Sequence, residues 1–389
     1  MTTRTDALLR GAPLNPLLDV THQVDLEPER GEGPYLFAAG GGCYLDFYGG
    51  HAVALLGYGH PRLLEALRRQ SEALLFQSGL FPMAVRERAA QRLRRFGPLP
   101  GGTVFFVNSG AEANENALRI AFLATGRTRV VAVEGAFHGR TAGAAAVTAG
   151  SETWYAFPQA PFPVSFVPFD DAEALVQAVD GDVAAVIIEP VQGVAGARAL
   201  SAEFLREARR ITEQRGALLI LDEVQCGMGR SGWPFVAQAV GVTPDLLTTA
   251  KGLGGGFPVS AVLVREGLER FVRKGDLGTT FGGGPTAAAL VETTVAVLEE
   301  EELLPNVRRL SARLQTEALT GPVTAVQGRG FLLGLRTAPP AKEVLAALRA
   351  RHILAGGSAD PHVVRLLPPL ILEDRHVDEL VAALKEIPA

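Results

Sequence analysis

Apolar runs of four to six residues alternate with stretches of helical periodicity from about residue 102 to residue 264. The runs that predict strands are 103–107, 129–133, 164–167, 183–188, 217–221, 246–249 and 259–264. Helical patterns, such as 112–124 and 202–215, lie between most of them. Continuous apolar strands separated by helices predict an α/β fold with a mostly parallel seven-stranded sheet between helices.

The flanking stretches predict a second, smaller unit. Short apolar runs at 35–39 and 43–47, split by three glycines, predict a strand hairpin. After Pro285 a long helix leads into alternating helix and strand patterns, which predict a small α+β domain. We expect an N-terminal arm and strands at 1–55 packed with the small domain, a large domain at 56–285, and the linking helix with the C-terminal small domain at 286–389.

Two helices are expected between the arm and the first strand of the sheet. Pro61 opens the first, with Leu63, Leu64 and Leu67 on one face, and the second runs over about 85–96.

Charge and cysteine content narrow the class of protein. The chain of 389 residues has a net charge of −5, which argues against nucleic-acid binding. Cys43 and Cys226 are far apart and neither belongs to a C-x-x-C pair, so we expect neither a disulfide scaffold nor a metal site. Residues 1–13 lack the apolar core of a signal peptide, and no apolar run is long enough to span a bilayer. We expect a cytoplasmic protein with no membrane partner.

A single lysine stands at the end of a predicted strand. Lys251 follows the apolar run 245–250 and precedes four glycines within five residues. In a partly dry pocket its amine would lose part of its charge and could form a Schiff base with a carbonyl. The alternative is a surface lysine before a turn.

Polar groups follow other predicted strands. Ser109 and Gly110 begin a helix and could seat a phosphate, or serve only as a helix cap. Phe137 and Arg140 lie on a glycine-containing loop. The Phe137 ring could stack on a ligand, and the Arg140 guanidinium could bind a carboxylate. Asp222 ends a buried strand and needs a positive partner, unless it caps the next helix.

These groups converge on one ligand. The carboxyl ends of parallel strands share one edge of a sheet, where ligands bind. An amine, a buried acid, an aromatic ring and a phosphate seat suit a cofactor with an aldehyde, a pyridine nitrogen and a phosphate, which is pyridoxal 5′-phosphate (PLP). No G-x-G-x-x-G fingerprint of a dinucleotide follows the first predicted strand of the sheet.

Over nearly its whole length the chain resembles the class III, PLP-dependent aminotransferases of fold type I, and most of all the acetylornithine aminotransferase branch with its lysine-biosynthesis relatives. The motifs that carry the resemblance are 108–114 (NSGAEAN), 137–141 (FHGRT), 221–225 (LDEVQ) and 250–251 (AK).

The resemblance implies a role for each ring-binding residue. Lys251 would carry the cofactor as a Schiff base and then shuttle the proton. Asp222 would pair with the pyridine N–H, Gln225 would reach the ring hydroxyl, and Phe137 would stack on the ring.

It also implies the phosphate site and a dimer. Ser109, Gly110 and Ala111 would hold the phosphate, and Thr280 would donate to the same phosphate from the neighbouring subunit of a homodimer with shared active sites.

For the substrates, the resemblance implies binding by Arg140, Thr279 and Arg365. The reaction would be ping-pong: the ω-amino group of N-acetylornithine or a similar acylated diamino acid would pass to 2-oxoglutarate, as in arginine or lysine biosynthesis.

The sequence departs from the family pattern at Val194, where relatives carry a glutamate that pairs with the arginine matched by Arg365. That pairing masks the arginine while the ω-amine donor is bound. Arg365 is therefore expected to be permanently available, or neutralised by another acid. His51 stands where isoleucine or an aromatic residue is commoner, and it is either structural or near the substrate.

Three other functions stay open at this point. One is another class III activity, such as transamination of 4-aminobutyrate or another ω-amino acid. A second is an aminomutase, which would not need 2-oxoglutarate. The third is a PLP-binding protein that has lost catalysis, against which the intact Lys251 and Asp222 argue.

Overall fold

The computed structural model describes residues 17–21 and 23–389. The first sixteen residues, where the N-terminal arm is predicted to begin, lie outside the described residues. No helix in the described part of the chain is long and apolar enough to cross a bilayer.

Strands occur along the whole described chain. They are β1 (Pro28–Glu32), β2 (Tyr35–Ala38), β3 (Cys43–Asp46), β4 (Thr103–Val107), β5 (Arg129–Val133), β6 (Val164–Val167), β7 (Val183–Ile188), β8 (Val191–Gln192), β9 (Arg198–Ala199), β10 (Leu218–Asp222), β11 (Leu246–Thr249), β12 (Ser260–Val264), β13 (Val323–Arg329), β14 (Leu332–Thr337), β15 (Ile353–Leu354) and β16 (Val363–Leu366).

Helices separate most of these strands. They are α1 (Gly49–Ala52), α2 (Pro61–Leu74), α3 (Ala84–Phe96), α4 (Gly110–Thr125), α5 (Ala142–Ala146), α6 (Ala172–Ala178), α7 (Ala202–Arg215), α8 (Val236–Val240), α9 (Pro285–Glu300), α10 (Leu303–Glu317), α11 (Ala341–Ala350) and α12 (Asp374–Lys385). Short 3₁₀ helices occur at Ser151–Thr153, Lys251–Gly254 and Glu269–Phe271.

The central sheet has seven strands in the order β4-β12-β11-β10-β7-β5-β6. Strand β12 runs antiparallel to both of its neighbours, and the other neighbouring pairs are parallel. The predicted α/β fold with a mostly parallel seven-stranded sheet is therefore confirmed. Every strand predicted for this sheet is present, with ends that differ by at most one residue.

Alternate residues of the sheet face two separate apolar clusters. Val131 and Val133 belong to one cluster, which also contains the buried face of α7. Val130 and Ala132 belong to the other, which contains the buried face of α4. Since side chains alternate along a strand, helices on both faces explain why these strands are apolar at nearly every position.

Two smaller sheets are built from the chain ends. Strand β15, near the C-terminus, pairs in parallel with β3 and extends the sheet β1-β2-β3. Strands β13, β14 and β16 form an antiparallel sheet. The division into three ranges stays a prediction, and the pairing of β15 with β3 is the contact that supports packing of the arm with the small domain.

Two details of the sequence interpretation are wrong. Leu64 is 55% exposed, whereas Leu63 is buried. The reason is geometric, since each helical residue turns the side chain by about 100°, which carries Leu64 away from the face that packs on α9. Strand β13 was not predicted, because its glutamine and glycine weaken the apolar pattern.

Candidate active site

A cavity of about 440 Å³ opens at the carboxyl edge of the central sheet. Its walls come from the segments that follow β4, β5, β7, β10 and β11. The five strands are parallel to one another, so their carboxyl ends lie on the same edge of the sheet. This is the edge at which α/β sheets bind ligands.

Lys251 lines the cavity two residues after the end of β11. Its backbone is in the left-handed region with φ of 49°, a conformation that is costly for a residue with a side chain. Burial lowers the pKa of the Lys251 amine from its ordinary value, and the carboxylates of Asp222 and Glu189 oppose that shift. The amine therefore has less tendency to be protonated than a lysine amine in water, as a nucleophile requires.

Asp222 is the last residue of β10, and it is only 3% exposed. Its Oδ1 accepts a hydrogen bond from the backbone N–H of Val224 at 3.0 Å. Its Oδ2 accepts one from Asn114 Nδ2 at 2.7 Å and lies 2.7 Å from His138 Nδ1. These donors offset part of the cost of burying the carboxylate, and Asp222 also faces the cavity.

Asn114 and His138 were missed as site residues, although both stand inside motifs that were recognised. Asn114 lies on α4 among the apolar residues that face the sheet, and Thr248 Oγ1 donates a hydrogen bond to its Oδ1 at 2.6 Å. His138 is buried, and its Nε2 has no partner within the described residues. An asparagine on the apolar face of a helix is the signal that could have identified the first of them.

The N-terminus of α4 forms another wall of the cavity. Ser109 is the N-cap: its hydroxyl accepts a hydrogen bond from the backbone N–H of Glu112, and Glu112 accepts one from the backbone N–H of Ser109. The helix cap proposed for Ser109 is therefore present, and the first turn with Gly110 and Ala111 lines the cavity as well. A helix N-terminus is a site for anions such as phosphate.

Close packing explains the glycines around this turn. A Cβ atom at Gly110 would lie 2.7 Å from Val224 Cγ1, and one at Gly139 would lie 2.6 Å from Ala111 Cβ. Gly139 also has φ of 138°, which favours glycine. The two glycines let the first turn of α4, the Phe137 loop and the segment after β10 approach one another.

Phe137 and Arg140 lie at the cavity on the loop after β5. The guanidinium carbon of Arg140 is 4.6 Å from the centre of the Trp154 ring and 5.8 Å from the centre of the Phe137 ring. These cation–π contacts orient an exposed guanidinium at the cavity without neutralising its charge.

Two further carboxyl groups are buried around the site. Glu189 Oε2 accepts a hydrogen bond from the backbone N–H of Phe137 at 2.8 Å, and burial, together with the charge of Asp222, raises the pKa of Glu189 to about 7. Glu223 instead accepts from the backbone N–H groups of Val236 and Ala237 in the first turn of α8. Burial raises its pKa to about 7 as well.

Gln225 follows the same turn and lines the cavity. Its Oε1 is buried and has no hydrogen-bond partner among the described residues. The side chain presses against Gly193, where a Cβ atom would lie 1.6 Å from Gln225 Oε1. A buried oxygen without a hydrogen-bond partner next to a cavity is consistent with a hydrogen-bond donor supplied by a ligand.

Thr279, Thr280 and Arg365 are not among the residues that line the cavity of this chain. Thr279 Oγ1 lies 3.3 Å from Asn108 Nδ2 and accepts a hydrogen bond from the N–H of Gly282, whereas Thr280 is exposed. Thr280 was expected to act from the neighbouring subunit, and the substrate roles of Thr279 and Arg365 stay predictions.

Arg365 lies behind the cavity wall, 5% exposed. Its Nε donates to the carbonyl of Gly357 at 2.6 Å and its Nη1 to the carbonyl of Gly193 at 3.1 Å. Val194, which follows Gly193, lines the cavity. In the described chain the guanidinium has carbonyl partners only, and burial lowers its pKa while Tyr48 and Glu189 oppose the shift.

His51 lies on a left-handed turn near this arginine. Gly49, Gly50, His51 and Ala52 all have φ between 55° and 71°. The ring nitrogen Nε2 of His51 is 2.6 Å from the Tyr48 hydroxyl. Burial, and then the positive charges of Arg365 and Lys251, lower the pKa of His51.

The residues present fit a flat, phosphorylated pyridine aldehyde. Lys251 presents an amine, Asp222 has an oxygen with acceptor capacity left, Gln225 has an unpaired oxygen, and Phe137 offers an aromatic face. The N-terminus of α4 supplies the anion site.

Comparison with known proteins gives consistent matches. Residues 19–387 match the family model described as aminotransferase class-III. The acetylornithine aminotransferase of Streptomyces coelicolor is 45% identical over 92% of this chain and 90% of its own length. That of Mycobacterium tuberculosis is 42% identical over 92% and 90%.

Comparison with solved structures also gives matches to aminotransferases. The acetylornithine aminotransferase of Elizabethkingia anophelis matches with a TM-score of 0.85 and 28% identity, covering 95% of both chains. An ornithine aminotransferase from Toxoplasma gondii, described as having PLP at partial occupancy in its active site, matches with a TM-score of 0.89 and 28% identity, covering 95% of this chain and 91% of its own.

Proposed function

The chain belongs to the class-III aminotransferases and uses pyridoxal phosphate, and we propose that it moves the ω-amino group of N-acetylornithine, or of a similar acylated diamino acid, to 2-oxoglutarate. Relatives that share 36 to 45% of its sequence over most of its length are named acetylornithine aminotransferases. The structural observation that carries the proposal is Arg140, an exposed and unneutralised guanidinium at the cavity that contains Lys251.

Lys251 is proposed as the catalytic residue. When bound, pyridoxal phosphate supplies an aldehyde that takes up the amino group and a ring that withdraws electrons from the carbon that loses a proton. Lys251 would hold the cofactor through its amine, and its Nζ would accept the proton that leaves the donor carbon and later return it. Its lowered pKa supports both tasks, because a neutral amine is the reactive form.

Three side chains are proposed to hold the cofactor ring in place. Asp222 accepts the hydrogen of the protonated pyridine nitrogen, and its desolvated charge keeps that nitrogen protonated. Gln225 would hydrogen-bond the ring hydroxyl, and Phe137 would stack on one face of the ring; both side chains line the cavity, as does Val224.

Ser109, Gly110 and Ala111 are proposed as the phosphate site. Their backbone N–H groups belong to the cap and the first turn of α4. The hydroxyl and the backbone N–H of Ser109 both donate to Glu112 Oε2, at 2.9 and 2.7 Å, so the backbone N–H groups of Gly110 and Ala111 carry most of the proposed binding.

The two substrates differ in the number of their carboxylates. N-acetylornithine has one, at the end remote from its ω-amine, whereas 2-oxoglutarate has two. We assign the remote carboxylate of either substrate to Arg140, assisted by Thr279, and the α-carboxylate of 2-oxoglutarate to Arg365. In this ping-pong scheme the donor leaves as an aldehyde and 2-oxoglutarate leaves as glutamate.

A homodimer is part of the proposal. Thr280 is exposed, and next to it Phe281 is 64% exposed and contacts Phe76 with ring centres 4.9 Å apart. The segment around Phe76 also exposes Leu75, Leu80 and Phe81. An apolar patch of this kind is typical of a surface covered by another subunit, and a second copy would bring its Thr280 to the phosphate of this chain.

The proposal also places the enzyme in the cytoplasm, in arginine or lysine biosynthesis. Cys43 and Cys226 are not disulfide-bonded to each other, which is consistent with a reducing compartment.

A donor screen tests the proposed reaction. Holoenzyme mixed with N-acetylornithine should lose the visible absorption of its lysine-bound cofactor, and 2-oxoglutarate should restore that absorption. Ornithine, 4-aminobutyrate and acylated lysine derivatives are compared in the same assay, and Lys251→Ala, which should lose at least about 100-fold in turnover, is the control. Faster conversion of 4-aminobutyrate would contradict the proposed donor. Turnover without 2-oxoglutarate would indicate an aminomutase, and an unchanging spectrum would indicate a silent binding protein.

Val194 is expected to control donor choice. In Val194→Glu the new carboxylate would reach Arg365 and mask it, so turnover of ω-amines relative to α-amines such as glutamate should rise at least about fivefold, equivalent to about 1 kcal/mol. Val194→Gln has the same shape without the charge and should not show this change. Equal ratios in the wild type and in Val194→Glu would eliminate the idea.

Mixed dimers test the shared site. Thr280→Ala should weaken cofactor binding about tenfold through the lost bond to phosphate. When it is reassembled with an excess of Lys251→Ala chains, each heterodimer should contain one site with both native residues, and its cofactor affinity should return to that of the wild type. Affinity that remains weak in the mixture would mean that Thr280 acts within its own chain.

A further inference from the structure

The two oxygens of the Asp222 carboxylate are in different surroundings. Oδ2 has two nitrogen neighbours at 2.7 Å, Asn114 Nδ2 and His138 Nδ1, whereas among the residues that the structure describes Oδ1 accepts only the N–H of Val224, at 3.0 Å. Each carboxylate oxygen has two lone pairs. Oδ2 is thus saturated, and Oδ1 retains one acceptor position.

His138 uses only one of its ring nitrogens. Because an ionised carboxylate can only accept, Nδ1 must carry the hydrogen that points to Asp222. Nε2 is buried and unpaired within the described part of the chain. The backbone holds the residue on both sides, since its N–H donates to Thr148 Oγ1 at 2.9 Å and its carbonyl accepts from Asn114 Nδ2 at 2.8 Å.

Asn114 is locked in one orientation. Thr248 can donate its hydroxyl hydrogen to Asn114 Oδ1 at 2.6 Å, and this places Nδ2 toward Asp222. Thr248 lies on β11 directly opposite Asp222 in the pairing of β10 with β11. The chain of contacts therefore runs from one strand through α4 to the end of the neighbouring strand.

We propose that His138 and Asn114 are positioning residues that saturate Oδ2 of Asp222, so that Oδ1 alone is presented to the pyridine nitrogen of the cofactor. Without them the buried carboxylate could rotate, and Oδ1 would no longer be directed at the protonated ring nitrogen. This inference rests on the role proposed above for Asp222.

The chain allows a matched set of variants. The side-chain nitrogen of asparagine is as many bonds from Cα as Nδ1 of histidine, so His138→Asn keeps the donor that matters. His138→Gln moves the donor outward, to the level of the unpaired Nε2, and His138→Leu removes it. If the proposal is correct, His138→Asn binds the cofactor like the wild type, whereas His138→Gln and His138→Leu both bind it more weakly.

Two readouts report on Asp222 rather than on turnover. The first is the dissociation constant of the cofactor, which should increase about tenfold or more in His138→Leu and His138→Gln, as expected for a lost hydrogen bond to a charged group. The second is the pH midpoint of the visible absorption of the lysine-bound cofactor. A protonated ring nitrogen repels a second proton at the link to Lys251, so loss of the ring proton should raise that midpoint.

Other ionisable groups also act on the charge of Lys251, and they are present in every His138 variant compared. They are Asp222, Glu189, Arg365 and Cys226, each of which acts on the charge of Lys251. Since all four are present in every His138 variant, a difference between His138→Asn and His138→Gln reports on the position of the donor alone.

Asp222→Asn separates failure of this inference from failure of the proposed function. Should Asp222→Asn leave both the cofactor affinity and the pH midpoint of the absorption unchanged, the role proposed for Asp222 would itself be wrong. Should it change both while His138→Asn, His138→Gln and His138→Leu give equal values, only the positioning role would be overturned. If His138→Leu does not fold, as judged by circular dichroism, the comparison of asparagine with glutamine decides.

Discussion

A carboxylate that is almost completely removed from water at the end of a strand is the constraint on which this site depends. Burying such a charge is unfavourable unless donors surround it. Around Asp222 the donors come from the turn that follows β10, from α4 and from the loop after β5. The same carboxylate therefore ties three segments of the large sheet layer together and keeps a negative charge facing the cavity.

The parallel arrangement of the sheet explains why Lys251 meets this carboxylate. β10 and β11 are neighbours with Asp222 opposite Thr248, so the residue that follows β11 by two positions lies at the same edge. The left-handed backbone of Lys251 is stored strain, and the glycines after it allow close packing, for example of Gly252 against Leu55. Burial then makes the amine less basic, while Asp222 limits how far that effect goes.

Much of this architecture was predictable because strand ends carry the chemistry. Apolar runs predicted all seven strands of the central sheet, and the parallel fold then placed Lys251, Asp222, Phe137 and Ser109 around one cavity. Asn114 and His138 were not predicted, since their importance comes from hydrogen bonds across the sheet layer that no local pattern encodes. The role of Thr280 stays a prediction, and the surroundings of Arg365 include the carbonyl of Gly193, far away in the sequence, which no local pattern encodes.

The central claim is that the amine of Lys251 holds the cofactor in this cavity. The most direct measurement is reduction of the holoenzyme with borohydride, which makes the link permanent, followed by mass spectrometry of its peptides. The account predicts that the phosphopyridoxyl group is found on Lys251 alone. Its presence on Lys274, Lys342 or Lys385 instead, or its absence from every lysine, would contradict the account.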